Sequence, residues 1–277
     1  MRADLHIHTS KSDGTDSVEE IIDKAINIGL DAVAITDHDN VSALEDGERY
    51  AKGKLTFIRG IEFSAYSNQE VHILGYGFDY KADIITETVD TLIKKRKARA
   101  EKIIEKLNAK NIRVDFGELK SGCIGRPHIA LLIKEKGYVK SINEAFDLYL
   151  GSKGSCYVPS GRMTPLEAVK IIREARGIPV LAHPSKFLDT GILPSLIEGL
   201  KRYGLMGLEC YYPSHDTDTE RRLCFLARKN ALIITQGSDY HGKNAASALG
   251  QMSRDISESV ISKLARGEAR FKTKSDL

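Results

Sequence analysis

Short apolar runs that alternate with amphipathic helical segments leave a chain few folds to choose from, and that alternation runs through most of this sequence. Residues 5–8 are a short strand candidate. Ser17-Val-Glu-Glu20 is a capping box, Val18, Ile21, Ile22, Ala25 and Ile26 follow at helical spacing, and Gly29 ends the helix. Residues 32–36, Ala-Val-Ala-Ile-Thr, then have the β-branched, unbroken character of a buried parallel strand. Strand, helix, strand is a βαβ unit. The C-terminal half repeats the theme. Thr164-Pro-Leu-Glu167 is a second capping box with proline at the first helical position, and its helix runs to about Arg176. Strands are expected at 179–182, 207–210 and 232–236, with helices at 193–203 and 216–229 between them. The pattern predicts an α/β protein, either a barrel or a doubly wound sheet.

The middle differs. From about residue 83 to residue 150 the pattern is helical and charge-rich. A long helix is expected over 88–111, carrying Lys94-Lys-Arg-Lys97 and Arg99, with shorter helices at 129–136 and 142–150. This predicts a barrel or sheet body made of residues 1–82 and 151–277, with 83–150 inserted as a helical cap. The 277 residues, 42% hydrophobic and 29% charged, suffice for a full core and exclude wholesale disorder or fibrous structure. No run approaches the roughly 20 apolar residues of a membrane span, and the first residues lack an apolar signal core. A cytoplasmic location is therefore expected. The four cysteines form no C-x-x-C pair, which argues against a disulfide framework or thiolate zinc site. A net charge of +3 neither requires nor excludes nucleic acid, and nothing calls for an obligate protein partner.

The chemistry collects at strand ends. His6 and His8 are two apart, so on a strand they share a face, where two imidazoles can hold one ion. Asp13 follows in the loop Ser12-Asp13-Gly14. The second strand ends in Thr36-Asp37-His38-Asp39, and a candidate strand at 55–59 ends in Gly60-Ile61-Glu62. Val71-His72-Ile73 begins another apolar run. Later come Ala182-His183-Pro184, Leu208-Glu209-Cys210 and Gly237-Ser238-Asp239-Tyr240-His241. In parallel α/β folds the C-terminal strand edge carries the active site. One histidine beside apolar sequence is more often a satisfied structural residue, and an aspartate after a strand is often a helix cap. Here at least six of eight histidines share that edge with Asp13, Glu62 and Asp239. A mixed histidine and carboxylate set suits manganese, zinc or iron(II), and so many donors point to more than one ion.

These segments, in order from residue 4 to residue 241, resemble the motif set of the PHP (polymerase and histidinol phosphatase) family. The resemblance implies the PHP fold, a distorted (β/α)7 barrel, with a site for three divalent metal ions, manganese first, zinc or iron as alternatives. It implies that His6, His8, Glu62 and Asp239 hold the first ion. Glu62 bridges to a second held by His72 and His183, and Asp13, His38 and His241 hold the third. Many relatives have histidine where this chain has Asp13, a change that keeps a ligand and adds negative charge. Asp37 is implied to orient a ligand imidazole. Asp4 either does likewise or has a capping or structural duty.

Gly125-Arg126-Pro127-His128 and the segment ending in Tyr211-Tyr212-Pro-Ser-His215 resemble a PHP subfamily. Its members act on 3′,5′-nucleoside bisphosphates and degrade short RNA from the 5′ end. There the implied role of Arg126, His128 and His215 is to grip phosphate, for which a guanidinium fork is well shaped. Without the resemblance, Arg126 reads equally as a surface ion pair and His215 as a loop residue. The expected reaction is phosphoester hydrolysis of a nucleotide or short RNA. Divalent ions held in a centre containing Glu62 and Asp239 would supply a hydroxide to attack phosphorus. His215 or a water protonates the leaving oxygen. The basic run 94–99 either guides an RNA backbone or, the favoured reading, is a solvated helix face. Tyr211, Tyr212 and Phe187 either stack a base or pack in the core, and Cys123 is expected to pack. The alternatives are another small-molecule phosphatase, such as one acting on histidinol phosphate, and a non-catalytic nucleic-acid-binding PHP domain.

Overall fold

Seven strands follow one another around a single sheet in the order of the chain, β1 to β7. The computed structural model describes residues 1–119, 123–159, 161–244, 247–251 and 254–267. Strands β1 (Ala3–Ile7), β2 (Ala32–Ile35) and the start of β3 (Thr56–Ser67) pair in parallel. So do β5 (Ile178–Leu181), β6 (Gly207–Tyr211) and β7 (Ile233–Gln236). The sheet curls until β7 returns to β1: Ile7 pairs with Tyr240, and Gln236 Nε2 donates to Ala3 O at 2.8 Å. The result is a nearly closed barrel.

The interior of β2 shows why the apolar runs are unbroken. Ala32 and Ala34 join one buried cluster with Leu5, Ile58, Leu74 and Tyr76. Val33 and Ile35 join the other, with Ile21, Ile22 and Leu44. A strand buried on both faces has no polar side to present. Helices α1 (Val18–Asn27), α2 (Leu44–Ala51), α6 (Pro165–Glu174), α7 (Leu193–Lys201) and α8 (Thr217–Lys229) connect or flank the strands. Both capping boxes are formed, at Ser17 with Glu20 and at Thr164 with Glu167.

One expected βα repeat is absent. Strand β3 does not stop near Arg59 but continues to Ser67, and β4 (Gln69–Tyr76) folds back antiparallel, paired also antiparallel with β5. Only Asn68 joins the two strands, at φ +57°. A crossover helix needs a dozen residues, so the hairpin is the only connection this length allows. Glu62 and His72 therefore lie within strands rather than at their ends. Ser64 stands opposite His72 in the register, which brings the faces of β3 and β4 that carry Glu62 and His72 together.

Between β4 and α6 the regular elements among the described residues are helices. Helix α3 (Asp83–Asn108) is longer than the pattern at 88–111 suggests, and α4 (Arg126–Glu135) and α5 (Ile142–Ala145) follow, α5 running into one turn of π-helix over Phe146–Leu150. The first turns of α3 pack Ile85, Val89 and Leu92 into the barrel core. From Ala100 onward the apolar side chains form a separate cluster with Ile129, Ile133 and Cys156. A last described helix, α9 (Glu258–Arg266), which the sequence reading did not place, adds Ile261 and Leu264 to the smaller barrel cluster.

Candidate metal centre and its cationic cavity

Every histidine and carboxylate expected as a ligand converges at the edge of the barrel where β1, β2, β5 and β7 end. Three overlapping groups of donors result. His6, His8, Glu62 and Asp239 form one; His8, Asp13, His38 and His241 a second; His38, Glu62 and His72 a third. In the first, Asp239 Oδ1 lies 3.3 Å from His6 Nε2 and 3.1 Å from His8 Nε2. In the second, Asp13 Oδ1 is 3.2 Å from His241 Nε2. Glu62 joins them. Its Oε1 is 2.8 Å from His72 Nδ1 and 3.1 Å from His183 Nε2, and its Oε2 is 2.9 Å from His38 Nδ1. The sharing is wider than expected: His8 turns its second nitrogen toward Asp13, and His38 faces both Asp13 and Glu62.

Two of these positions, and Asp39 next to His38, have unusual backbone. Asp39, His183 and Asp239 have φ of +48°, +25° and +53°, a region that costs an L-residue about 1–3 kcal/mol. Local bonds hold them there. Asp39 N donates to Glu62 O at 3.0 Å, and His183 N donates to Glu209 Oε2 at 2.7 Å.

Charge is the binding principle of the cluster. Burial alone would raise Glu62, Asp13 and Asp239, but the imidazoles around them hold all three well below the usual carboxylate range. Burial likewise opposes charge on His8 and His72, yet Asp239 and Glu62 raise His8 to about 10, and Glu62 and Glu70 raise His72 to about 9. Burial and Glu209 act oppositely on His6, which lies well above its ordinary value. His38 is lowered, mainly by burial. The carboxylates thus draw positive charge into a buried site. His6 Nε2, both nitrogens of His8 and Asp13 Oδ1 are buried without an aligned hydrogen-bond partner among the described residues. Deprotonated imidazoles and carboxylates with free lone pairs are the donor set of divalent cations, and the residues fit such ions.

The residues around the ligands differ in part from expectation. Asp37 does not orient an imidazole. Its oxygens accept from Thr9 N and Thr9 Oγ1, both at 2.7 Å, and from Ser12 Oγ at 2.5 Å, which shapes the loop after β1. Asp4 accepts from Ser238 N, Ser238 Oγ and Gly250 N, fastening the loop after β7. A carboxylate placed to orient a candidate ligand is Glu209, whose Oε1 is 3.0 Å from His6 Nδ1. The sequence offered a signal, a glutamate inside the apolar run Gly-Leu-Glu-Cys-Tyr, and the fold buries it fully. Tyr212 donates to Oδ2 of Asp239, a candidate ligand, at 2.8 Å. Phe187 is fully buried in the core. Cys123 donates to His38 O at 3.1 Å.

A cavity of about 360 Å³ opens beside Asp13, His38 and His72, between the barrel and helices α3 and α4. Arg126 lines it, stacked over Phe146 and 3.5 Å from Glu70. His128 does not line it. Its Nδ1 accepts from Gly125 N and its Nε2 donates to Ser12 O at 3.1 Å, so both nitrogens serve the joint between α4 and the ligand loop. His215 Nδ1 donates to Cys210 O at 3.0 Å, which leaves Nε2 a buried lone pair. Burial also lowers its basicity. In that tautomer His215 accepts a hydrogen bond, and it must first take a proton to act as an acid. The cavity has further cations: Arg162 and Lys186, which the sequence did not single out, and, from the basic run, Lys95, Arg96 and Arg99. Burial, then Arg126 and Arg162, pull Arg99 down to about 10, as crowded like charges do. Lys94 and Lys97 alone of that run keep to the exposed face away from the cavity lining.

Comparison with known proteins gives this geometry a lineage. The PHP domain profile matches residues 4–154. A phosphoribosyl 1,2-cyclic phosphate 1,2-diphosphodiesterase of Eggerthella lenta is 30% identical over 88% of this chain and 95% of its own. A 5′-3′ exoribonuclease of Escherichia coli is 30% identical over 86% of this chain and 84% of its own. A 3′,5′-nucleoside bisphosphate phosphatase of Chromobacterium violaceum is 30% identical over 91% and 90%. Among solved structures, a Bifidobacterium adolescentis protein has the same fold at a TM-score of 0.86, with 24% identity over 97% of this chain and 96% of that one. No helix among the described residues is long and apolar enough to cross a membrane. By fold, motif order and full-length similarity, this chain belongs to the PHP-domain family of metal-dependent phosphoesterases.

Proposed function

We propose that this phosphoesterase acts on nucleotides, removing the 3′-phosphate of nucleoside 3′,5′-bisphosphates or cleaving short 5′-phosphorylated RNA. One observation carries the reading: a buried histidine and carboxylate cluster opens directly onto a cavity with six cationic and three acidic side chains in its lining. A substrate with phosphates at both ends of a nucleoside matches that arrangement. One phosphoester lies at the ligand cluster and the other anion among Arg99, Arg126, Arg162 and Lys186. The cavity volume is within the range of small-molecule sites.

His6, His8, Glu62 and Asp239 would hold one divalent ion, His72 and His183 with Glu62 a second, and Asp13, His38 and His241 a third, with manganese the first candidate. Such ions, when bound, draw charge from phosphoryl oxygens and bring the pKa of water near neutrality. The chain's own residues do the rest. Arg126 and Arg162 fix the anionic end. His215 Nε2 accepts from a hydroxyl of substrate or water. Segment 83–150 caps the barrel mouth and limits substrate length, with the first turns of α3 anchored in the barrel core.

The test is phosphate release from adenosine 3′,5′-bisphosphate and mononucleotide release from a short 5′-phosphorylated RNA. Both use manganese-loaded protein with and without chelator. No chelator-sensitive turnover of either substrate would sink the reading. The Eggerthella relative supports a second one, hydrolysis of a ribose cyclic phosphate diester, and turnover of such a diester at a higher kcat/KM would replace the first.

A further inference from the structure

We propose that Glu70 is a positioning residue that couples the cationic cavity to the metal centre through His72, and that it holds the cavity's arginines until an anion takes them. The inference rests on the reading above, in which His72 is a ligand and Arg126 and Arg162 receive an anionic group. Glu70 lies on β4, two residues before His72, so both side chains project from the same face of the strand. Its Oε1 is 3.2 Å from His72 Nε2 and 2.5 Å from Arg162 Nη1. Its Oε2 is 3.5 Å from Arg126 Nη2. His72 meanwhile turns Nδ1 to Glu62, into the donor cluster. One carboxylate therefore touches the outer nitrogen of a candidate ligand and two cations of the cavity at once.

The two duties compete. A carboxylate on the outer nitrogen of a ligand histidine fixes its ring and raises its basicity toward metal. The same carboxylate neutralises the arginines that would bind an anion, as a phosphate oxygen would. An anion seated on Arg126 and Arg162 frees Glu70 to serve His72 alone. Occupied cavity and firm metal binding then favour each other, and thermodynamic linkage makes the effect reciprocal. Glu70 is about a third exposed, and it can shift between these partners without unpacking the core.

This predicts opposite effects from one substitution. In Glu70→Gln, manganese affinity measured by titration calorimetry falls about 10-fold or more, as for other carboxylates behind ligand histidines. Inorganic phosphate binding to the chelator-treated protein tightens several-fold, because the arginines lose their internal partner. Glu70→Asp, which keeps the charge, lies between the two. A residue that only supports the fold would weaken both affinities together. Wild-type protein that binds manganese and phosphate, with Glu70→Gln moving both in one direction or neither, overturns the role of Glu70 and leaves the functional reading standing. Wild-type protein that binds no manganese overturns both.

Discussion

Glu209 and His6 meet 3.0 Å apart, Oε1 to Nδ1, with both residues fully buried. That contact leaves Nε2 of His6 as the nitrogen that faces Glu62 and Asp239. The other oxygen of Glu209 accepts the His183 backbone N–H, so one carboxylate sets two candidate ligand positions. Replacing it with Gln keeps the volume and removes the charge. Metal affinity is expected to fall about 10- to 100-fold, read by metal content after dialysis against a buffered manganese series. Unchanged stoichiometry and affinity would show that His6 needs no such partner.

Glu62 is the shared carboxylate of the cluster, within 3.4 Å of His6, His8, His38, His72 and His183. Glu62→Gln should therefore remove more than one ion's worth of binding and reduce turnover with it. The check is elemental analysis beside the phosphate-release assay, and full metal content with near-normal rate would contradict the assignment.

The metal-free protein should show a distinctive dependence on pH. His8 and His72 have pKa values raised from 6.5 to about 10 and about 9. A raised basic group contributes stability that is complete below its unfolded pKa and is lost as pH rises through the folded one. Chelator-treated protein should thus lose stability between about pH 6.5 and 10 from this cause. Glu62, Asp13 and Asp239 have depressed values, and their contribution disappears in acid as pH falls through the ordinary carboxylate range and below. Urea midpoints across the range test both limbs. Manganese must displace the imidazole protons, so its affinity should rise with pH and its binding should release protons into the buffer. Binding without proton release would refute the charged cluster.

Arg96 on α3 pairs with Asp39 after β2, donating through Nε at 2.7 Å and also through Nη2, and reaches Ser64 Oγ at 2.9 Å. Asp39 is almost wholly buried. Arg96→Gln strands that carboxylate, a change that typically costs about 3–5 kcal/mol. Arg96→Gln combined with Asp39→Asn should recover a large part of it. Denaturant titrations of the three variants decide, and a strictly additive double variant would rule out the coupling.

Gly237 sits where a Cβ would come within 2.2 Å of His6 Cβ and 2.8 Å of His6 N. Its neighbour is a barrel strand, which cannot give way cheaply. Gly237→Ala should cost about 1–3 kcal/mol as overpacking and displace His6 from Asp239, lowering metal content as well. A variant with wild-type melting temperature and metal content would show that β1 yields at no cost.

The apolar runs with their capping boxes foretold six of the seven strands' places and most barrel helices, because a strand buried on both faces and a capped amphipathic helix are each written in local sequence. The candidate donors were legible for the same reason. His6 and His8 two apart, and histidine or aspartate after Ile35, Ala182 and Gly237, are local facts. What the chain could not state was direction and pairing across distance. The turn at Asn68 makes β4 antiparallel and carries His72 within reach of Glu62 from the neighbouring strand. Glu70 and Arg162 meet across 92 positions, and His6 and Glu209 across 203. Asp37 and His128 looked like site residues by motif, yet the fold gives their hydrogen bonds to loops. Sequence fixes which donors a strand end offers. Only barrel closure decides which donors share a point in space, since that depends on the register and curvature of seven strands together.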